Sequence, residues 1–180
     1  MSHVGLIRDK IRSVPDFPKK GILFRDISAV LADARTFRVA VEEMTRPIRS
    51  GSDYVAAVES RGFIFGSAAA DLSGKGLILL RKPGKLPPPI IRKDYSLEYG
   101  CDSLEIAAEV IPAGSKVVLI DDVLATGGTA KASIELLRES GVDVVGAAFL
   151  IDLPFLGGSD KLKEMGINVH AVVTYGAGEP

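Results

Sequence analysis

The chain has 180 residues, and at roughly 150 residues per domain it is read as a single domain, 1–180. Hydrophobic residues make up 47% and charged residues 25%, a balance that supports a sizeable core and excludes global disorder. The net charge of −1, from 22 Lys+Arg against 23 Asp+Glu, argues against a nucleic-acid partner.

The charges are unevenly placed. Residues 1–93 carry a net +8 and residues 94–180 a net −9, so an anion site beside a carboxylate-lined one is possible within one fold. Cys101 stands alone, which rules out an intramolecular disulfide and gives no sign of an oxidising compartment. Arg8, Asp9, Lys10 and Arg12 interrupt any leader-like hydrophobic run, and no apolar stretch approaches the ~18 residues of a membrane helix. The expectation is a soluble, cytoplasmic protein with no membrane partner.

In chain order, Val4, Ile7 and Ile11 predict a short amphipathic helix over Ser2–Val14, stopped by Pro15. The stretch Gly21–Phe24 is too short to classify. Asp33 can cap a helix that turns Phe37, Ala40, Val41 and Met44 inward and ends near Pro47. Tyr54–Val58 reads as a buried strand, Ser60–Gly62 as a loop, and Phe63–Leu72 as a helix closed by Gly74. Leu77–Leu80 is the next strand. From Lys82 to Tyr99 the prolines Pro83, Pro87, Pro88 and Pro89 and the surrounding basic residues predict a functional loop, not a helix or central strand. Ser103–Val110 is a strand or a short helix. Lys116–Ile120 is a strand, Asp121–Gly128 a loop, Thr129–Ser140 a helix, Val142–Ile151 a strand, Asp160–Met165 a short helix and Val169–Val173 a last strand. Strands alternating with helices predict an α/β fold: a central, mostly parallel sheet flanked by helices.

Ligands of such sheets bind beyond the carboxyl ends of the strands, which directs attention to the segments after Val58, Leu80 and Ile120. After Ile120 come Asp121 and Asp122, and then Ala125, Thr126, Gly127, Gly128 and Thr129 open a helix. Glycines let backbone N–H groups curl round a phosphate, the helix N-terminus adds positive dipole, and the threonines add hydroxyl donors. Two carboxylates would repel a bare phosphate, but they suit a phosphate attached to a sugar, whose vicinal hydroxyls donate to them. Neither a P-loop nor a Gly-x-Gly-x-x-Gly motif is present, and His3 and His170 are too isolated to suggest a metal site or triad.

The run from Val117 to Thr129 resembles the phosphoribosyl pyrophosphate signature of the type I phosphoribosyltransferases. Phe17–Ser28, Glu59–Phe63, Arg81–Pro87 and Tyr95–Gly100 are similar, in order and approximate spacing, to the adenine-using members of that family. The resemblance implies a small N-terminal hood over about residues 1–33 and a flexible catalytic lid over about residues 82–101. It implies that adenine attacks C1 of phosphoribosyl pyrophosphate with Mg²⁺, giving AMP and pyrophosphate. By the same resemblance, Asp121 and Asp122 hold the ribose hydroxyls and Ala125, Thr126, Gly127, Gly128 and Thr129 the 5′-phosphate. Ser60, Arg61, Arg81, Lys82 and Lys85 meet the pyrophosphate. Phe24 stacks on the base, with the backbone of Leu23 and Arg25 at its edge. Glu98 is the acid/base, with Tyr99 brought in by lid closure and Arg61 assisting the leaving group. No residue ligates the metal directly; Mg²⁺ is held mainly by phosphoribosyl pyrophosphate and water. A homodimer is expected. A transferase for another purine base, or a non-catalytic sensor of phosphoribosyl pyrophosphate, would use the same signature.

Overall fold

The computed structural model describes residues 2–48, 51–97 and 100–179. Ser2 accepts a hydrogen bond from Gly5 N–H and starts α1 (His3–Arg8), which ends well short of the helix expected to Val14. The following residues form β1 (Arg12–Pro15), antiparallel to β2 (Leu23–Asp26), with Val14 opposite Phe24. The correction has a simple cause: apolar residues at Ile11 and Val14 also fit a short ribbon once a partner strand exists, and that partner is the unclassified segment. After the short helix α2 (Ser28–Ala32), Asp33 caps α3 (Ala34–Met44) by accepting from Thr36 N–H at 2.8 Å.

The central sheet then begins. β3 (Tyr54–Val58) leads into α4 (Arg61–Ser73), which ends at Gly74 in the left-handed conformation, φ 63°, and returns as β4 (Gly76–Leu80). α4 starts two residues earlier than expected, so Arg61 and Gly62 form its first turn. The next strands, β5 (Ile90–Leu97) and β6 (Gly100–Ala107), form an antiparallel ribbon that replaces much of the expected loop. The prolines lie before β5, and the ribbon holds because Leu104 and Ile106 are buried to 0% and 1% exposure on one face of it. An Arg81–Glu105 bridge ties it to the end of β4.

β7 (Lys116–Leu124), α5 (Gly128–Glu139), β8 (Asp143–Asp152), α6 (Gly158–Glu164) and β9 (Val169–Thr174) complete the chain. The five-stranded sheet is parallel throughout, in the order β4-β3-β7-β8-β9. Its side chains alternate between two cores, as a strand period of two demands. Val118 and Ile120 join Phe65 and Met44 on one side, while Val117 and Leu119 join Ile134 and Leu137 of α5 on the other. β7 continues past Ile120, pairing Asp121 with Phe149 and Leu124 with Asp152. The carboxylate pair therefore sits on a rigid strand and not in the expected loop.

Candidate active site

The chain passes from β3 outward to β4 and later returns on the other side of β3 as β7. That reversal of winding leaves a crevice between the carboxyl ends of β3 and β7. A cleft of about 430 Å³ lies there, walled by residues 58–61 from β3, by residues 121–130 from β7, and by Lys82 beyond β4.

On the β7 wall the backbone turns through Gly127, φ 79°, into α5, whose first turn has neither a side-chain cap nor an acidic residue. Its N–H groups are thus available to an anion. The turn is braced from behind by the start of α6. Gly158 N–H donates to the Ala125 carbonyl at 3.1 Å, and Lys161 Nζ to the Thr126 carbonyl at 2.7 Å. A Cβ on Gly127 would stand 2.8 Å from Gly158 Cα, and one on Gly158 would collide with the Ala125 carbonyl, so two glycines face each other where any side chain would push the loop out of place.

Asp121 and Asp122 line the same cleft. Asp122 N–H donates to Asp121 Oδ1 at 2.8 Å, and Arg61 Nε stands 2.8 Å from Asp122 Oδ2 as an ion pair. That buried Asp122 oxygen has no hydrogen-bond partner among the described residues. Burial, and then the neighbouring Asp122 charge, push the Asp121 carboxyl well above the usual carboxylate range. Burial also raises Asp122, against the opposing pull of Arg61. Burial and the closeness of the two carboxyls thus both disfavour a second charge at this pair.

On the β3 wall the Glu59–Ser60 peptide is cis, and Ser60 precedes the first turn of α4. Glu59 accepts from Lys82 N–H at 2.8 Å and faces Arg81 Nε at 3.3 Å. Burial alone would raise its carboxyl, yet these donors hold it below its ordinary value. Lys82 reaches Asp102 in an ion pair and stands 3.3 Å from the Tyr95 hydroxyl. Burial there works to lower its ammonium, but Asp102 and Tyr95 outweigh it and hold the group above its ordinary value.

A second cleft, about 390 Å³, opens beside the first and shares Arg61 with it. Phe24 and Phe17 meet edge to face in its wall at 5.1 Å, and the Arg61 guanidinium lies 5.2 Å from the Phe24 ring centre. Leu23 and Arg25 flank Phe24 along β2 without lining this cleft. The outer edge of β2 carries no strand among the described residues; Leu23 is exposed there, whereas Arg25 is buried.

The structure thus brings together Ser60, Arg61, Lys82, Asp121, Asp122 and residues 125–129, with Phe24 next door. Arg81 and Lys85 do not line the cleft: Arg81 is engaged by Glu59 and by the Lys85 carbonyl, and Lys85 is exposed. Glu98 and Tyr99 lie outside the described residues. Sequence reasoning missed Gly158, Lys161, Asp102 and Tyr95. Only the Gly157-Gly158 pair before a helix gave a visible signal.

A sequence model of the phosphoribosyl transferase domain matches residues 30–167. The adenine phosphoribosyltransferase of Maricaulis maris is 48% identical over 170 residues, covering 94% of this chain and 97% of that protein. The crystal structure of adenine phosphoribosyltransferase from Thermoanaerobacter pseudethanolicus superposes with a TM-score of 0.91 at 43% identity, over 96% of this chain and 99% of that one. The Saccharomyces cerevisiae adenine phosphoribosyltransferase, complexed with adenine and an imino-altritol bisphosphate, gives 0.88 at 33% identity, over 95% and 98%.

Proposed function

The chain belongs to the phosphoribosyl transferase family, and from that premise we propose that it transfers the 5-phosphoribosyl group of phosphoribosyl pyrophosphate to adenine, giving AMP and pyrophosphate. One observation carries the reading: a polar cleft at the N-terminus of α5 and an aromatic-walled cleft lie side by side and share Arg61. Relatives across most of the chain's length bear this activity in their names.

In this reading the α5 N-terminus and the backbone of Ala125, Thr126, Gly127, Gly128 and Thr129 hold the 5′-phosphate. Asp121 and Asp122 accept from the ribose 2′- and 3′-hydroxyls, Asp122 Oδ2 doing so as its ion pair with Arg61 opens. Adenine lies over Phe24, with the Leu23 and Arg25 backbone at its edge; a carbonyl there accepts from the 6-amino group and leaves a 6-oxo purine unpaired. As adenine N9 attacks C1, the C1–O bond to pyrophosphate breaks and its electron pair leaves on that oxygen. Arg61 and Lys82 balance the charge that develops there, Arg61 by releasing Asp122. Arg81 and Lys85 extend the positive end of the site through the loop before β5. The N9 proton passes to Glu98, and Tyr99 closes over the base as water is excluded.

Among the described residues no cluster of three or more His, Cys, Asp or Glu is placed to hold a metal ion. In this reading Mg²⁺ is held mainly by the phosphates of phosphoribosyl pyrophosphate and by water, and no residue ligates it directly. When bound, Mg²⁺ neutralises charge on the leaving pyrophosphate. The reading extends to a homodimer in the cytoplasm; no helix among the described residues is long and apolar enough to cross a membrane.

The test is turnover by purified protein with phosphoribosyl pyrophosphate, Mg²⁺ and adenine, hypoxanthine, guanine, xanthine or orotate offered separately. AMP formed from adenine alone is the expected result. No turnover with any base, despite ligand binding, overturns it.

A further inference from the structure

Among the described residues β2 has only β1 as a strand partner, and neither joins the five-stranded sheet. Something else must fix the Phe24 shelf in relation to the cleft. Successive strand residues point to opposite faces, so while Phe24 faces the second cleft, Arg25 points the other way and is 4% exposed. Its guanidinium lies 3.8 Å from the centre of the Tyr175 ring, donates to the Glu179 carbonyl at 2.6 Å, and donates to Ser13 Oγ. Tyr175 follows β9 directly, is 2% exposed, and donates its N–H to the Asp152 carbonyl at 3.1 Å. Beyond it the chain turns back, with Gly176 N–H on Glu179 Oε2 at 2.7 Å. Arg8 of α1 closes the clasp: it pairs with the Glu179 carboxylate, donates to the Thr174 carbonyl, and stands 4.6 Å from the Tyr175 ring centre.

We propose that the segment Tyr175–Glu179 is the fixed post against which the base shelf is set, with Tyr175 and Arg25 as positioning residues for the purine. The inference rests on the adenine reading of the second cleft. Phe24 and Arg25 are consecutive, so loss of the guanidinium's anchors frees the short ribbon that carries the stacking ring and the flanking backbone. Stacking and backbone hydrogen bonds tolerate little displacement. The phosphate turn is held separately, by Gly158 and Lys161, so a disturbance at Tyr175 is confined to the base half of the site.

Two variants, Tyr175→Leu and Tyr175→Phe, separate this role from simple support of the fold. With both substrates varied, Tyr175→Leu is expected to raise the KM for adenine about tenfold or more, leaving the KM for phosphoribosyl pyrophosphate and the binding of inorganic pyrophosphate unchanged. Tyr175→Phe keeps the ring face under the guanidinium and restores the adenine KM. Arg25→Lys, which keeps the charge and loses the planar stack, is expected to behave as Tyr175→Leu does and serves if that variant does not fold. An unchanged adenine KM, or equal rises for both substrates, overturns the proposal. Failure of the adenine reading itself would be seen separately, in the unaltered protein, as absence of turnover with adenine.

Discussion

Gly62 rests on Asp121: a Cβ at Gly62 would stand 2.9 Å from Asp121 Oδ1 and 3.0 Å from the Ile120 carbonyl oxygen. The first turn of α4 thus presses on the strand that carries the carboxylate pair. In Gly62→Ala the movable partner is the carboxylate, which swings away before the backbone does. Overpacking costs about 1–3 kcal/mol, set against a helix-propensity gain of up to about 1 kcal/mol, so the melting temperature falls modestly. Affinity for ribose 5-phosphate falls further, by about tenfold for one displaced hydrogen-bonding carboxyl. Calorimetric titration beside a thermal melt reads both; unaltered ribose 5-phosphate affinity would count against Asp121 as a sugar ligand.

Asp121 sets a pH dependence with a definite sign. Its carboxyl is raised in the folded protein by burial and then by Asp122, so the folded state holds that proton more tightly than the unfolded chain. This stability is fully present below the unfolded value of about 4 and is lost as pH rises through the folded value. Asp121→Asn has no such proton to lose. Its melting temperature relative to the unaltered protein is expected to improve between pH 4 and pH 8, and a difference constant with pH would contradict the assignment.

The brace behind the phosphate turn makes Gly158 as sensitive as any residue in the cleft. A methyl there meets the Ala125 carbonyl, a backbone atom with no room to retreat. Gly158→Ala is expected to lower stability by about 1–3 kcal/mol, roughly 2–4 °C in melting temperature per kcal/mol at this size, and to weaken AMP binding. Lys161→Met removes the hydrogen bond to the Thr126 carbonyl and one exposed charge without a steric clash, so its effect on AMP binding is smaller, about 1 kcal/mol. Reversal of that order would show that the turn is not shaped from behind.

Glu98→Ala tests the proposed proton acceptor. Turnover is expected to drop about 10²–10⁴-fold, with the affinity for phosphoribosyl pyrophosphate nearly intact. Single-turnover kinetics with a direct binding measurement would separate the two effects, and unchanged turnover removes Glu98 from the mechanism.

What was legible in the sequence was local. Tyr54–Val58 reads as a strand because five apolar residues lie between polar neighbours, and the cap at Asp33 and the stop at Gly74 each follow from one residue's own chemistry. The Thr-Gly-Gly-Thr turn could be read for the same reason. What depended on distant partners could not. Asp121 and Asp122 look like loop residues until Phe149 and its neighbours supply the hydrogen bonds that keep β7 extended. The ribbon of β5 and β6 was hidden behind prolines that end before it starts, and its inward residues Leu104 and Ile106 had no visible core to face. The brace by Gly158 and the clasp on Arg25 join residues far apart in the chain, and neither has a signature shorter than that separation.

The bracing of the phosphate turn by Gly158 and Lys161 also fixes when a nascent chain can first recognise anything. The β3 wall is synthesised early and the β7 wall much later, yet the turn between Ala125 and Gly128 lacks its rear brace until α6 has followed them. A chain interrupted before Gly158 would own both walls and still lack a shaped site. A ligand that needs the braced turn stabilises the finished fold over a chain still lacking α6.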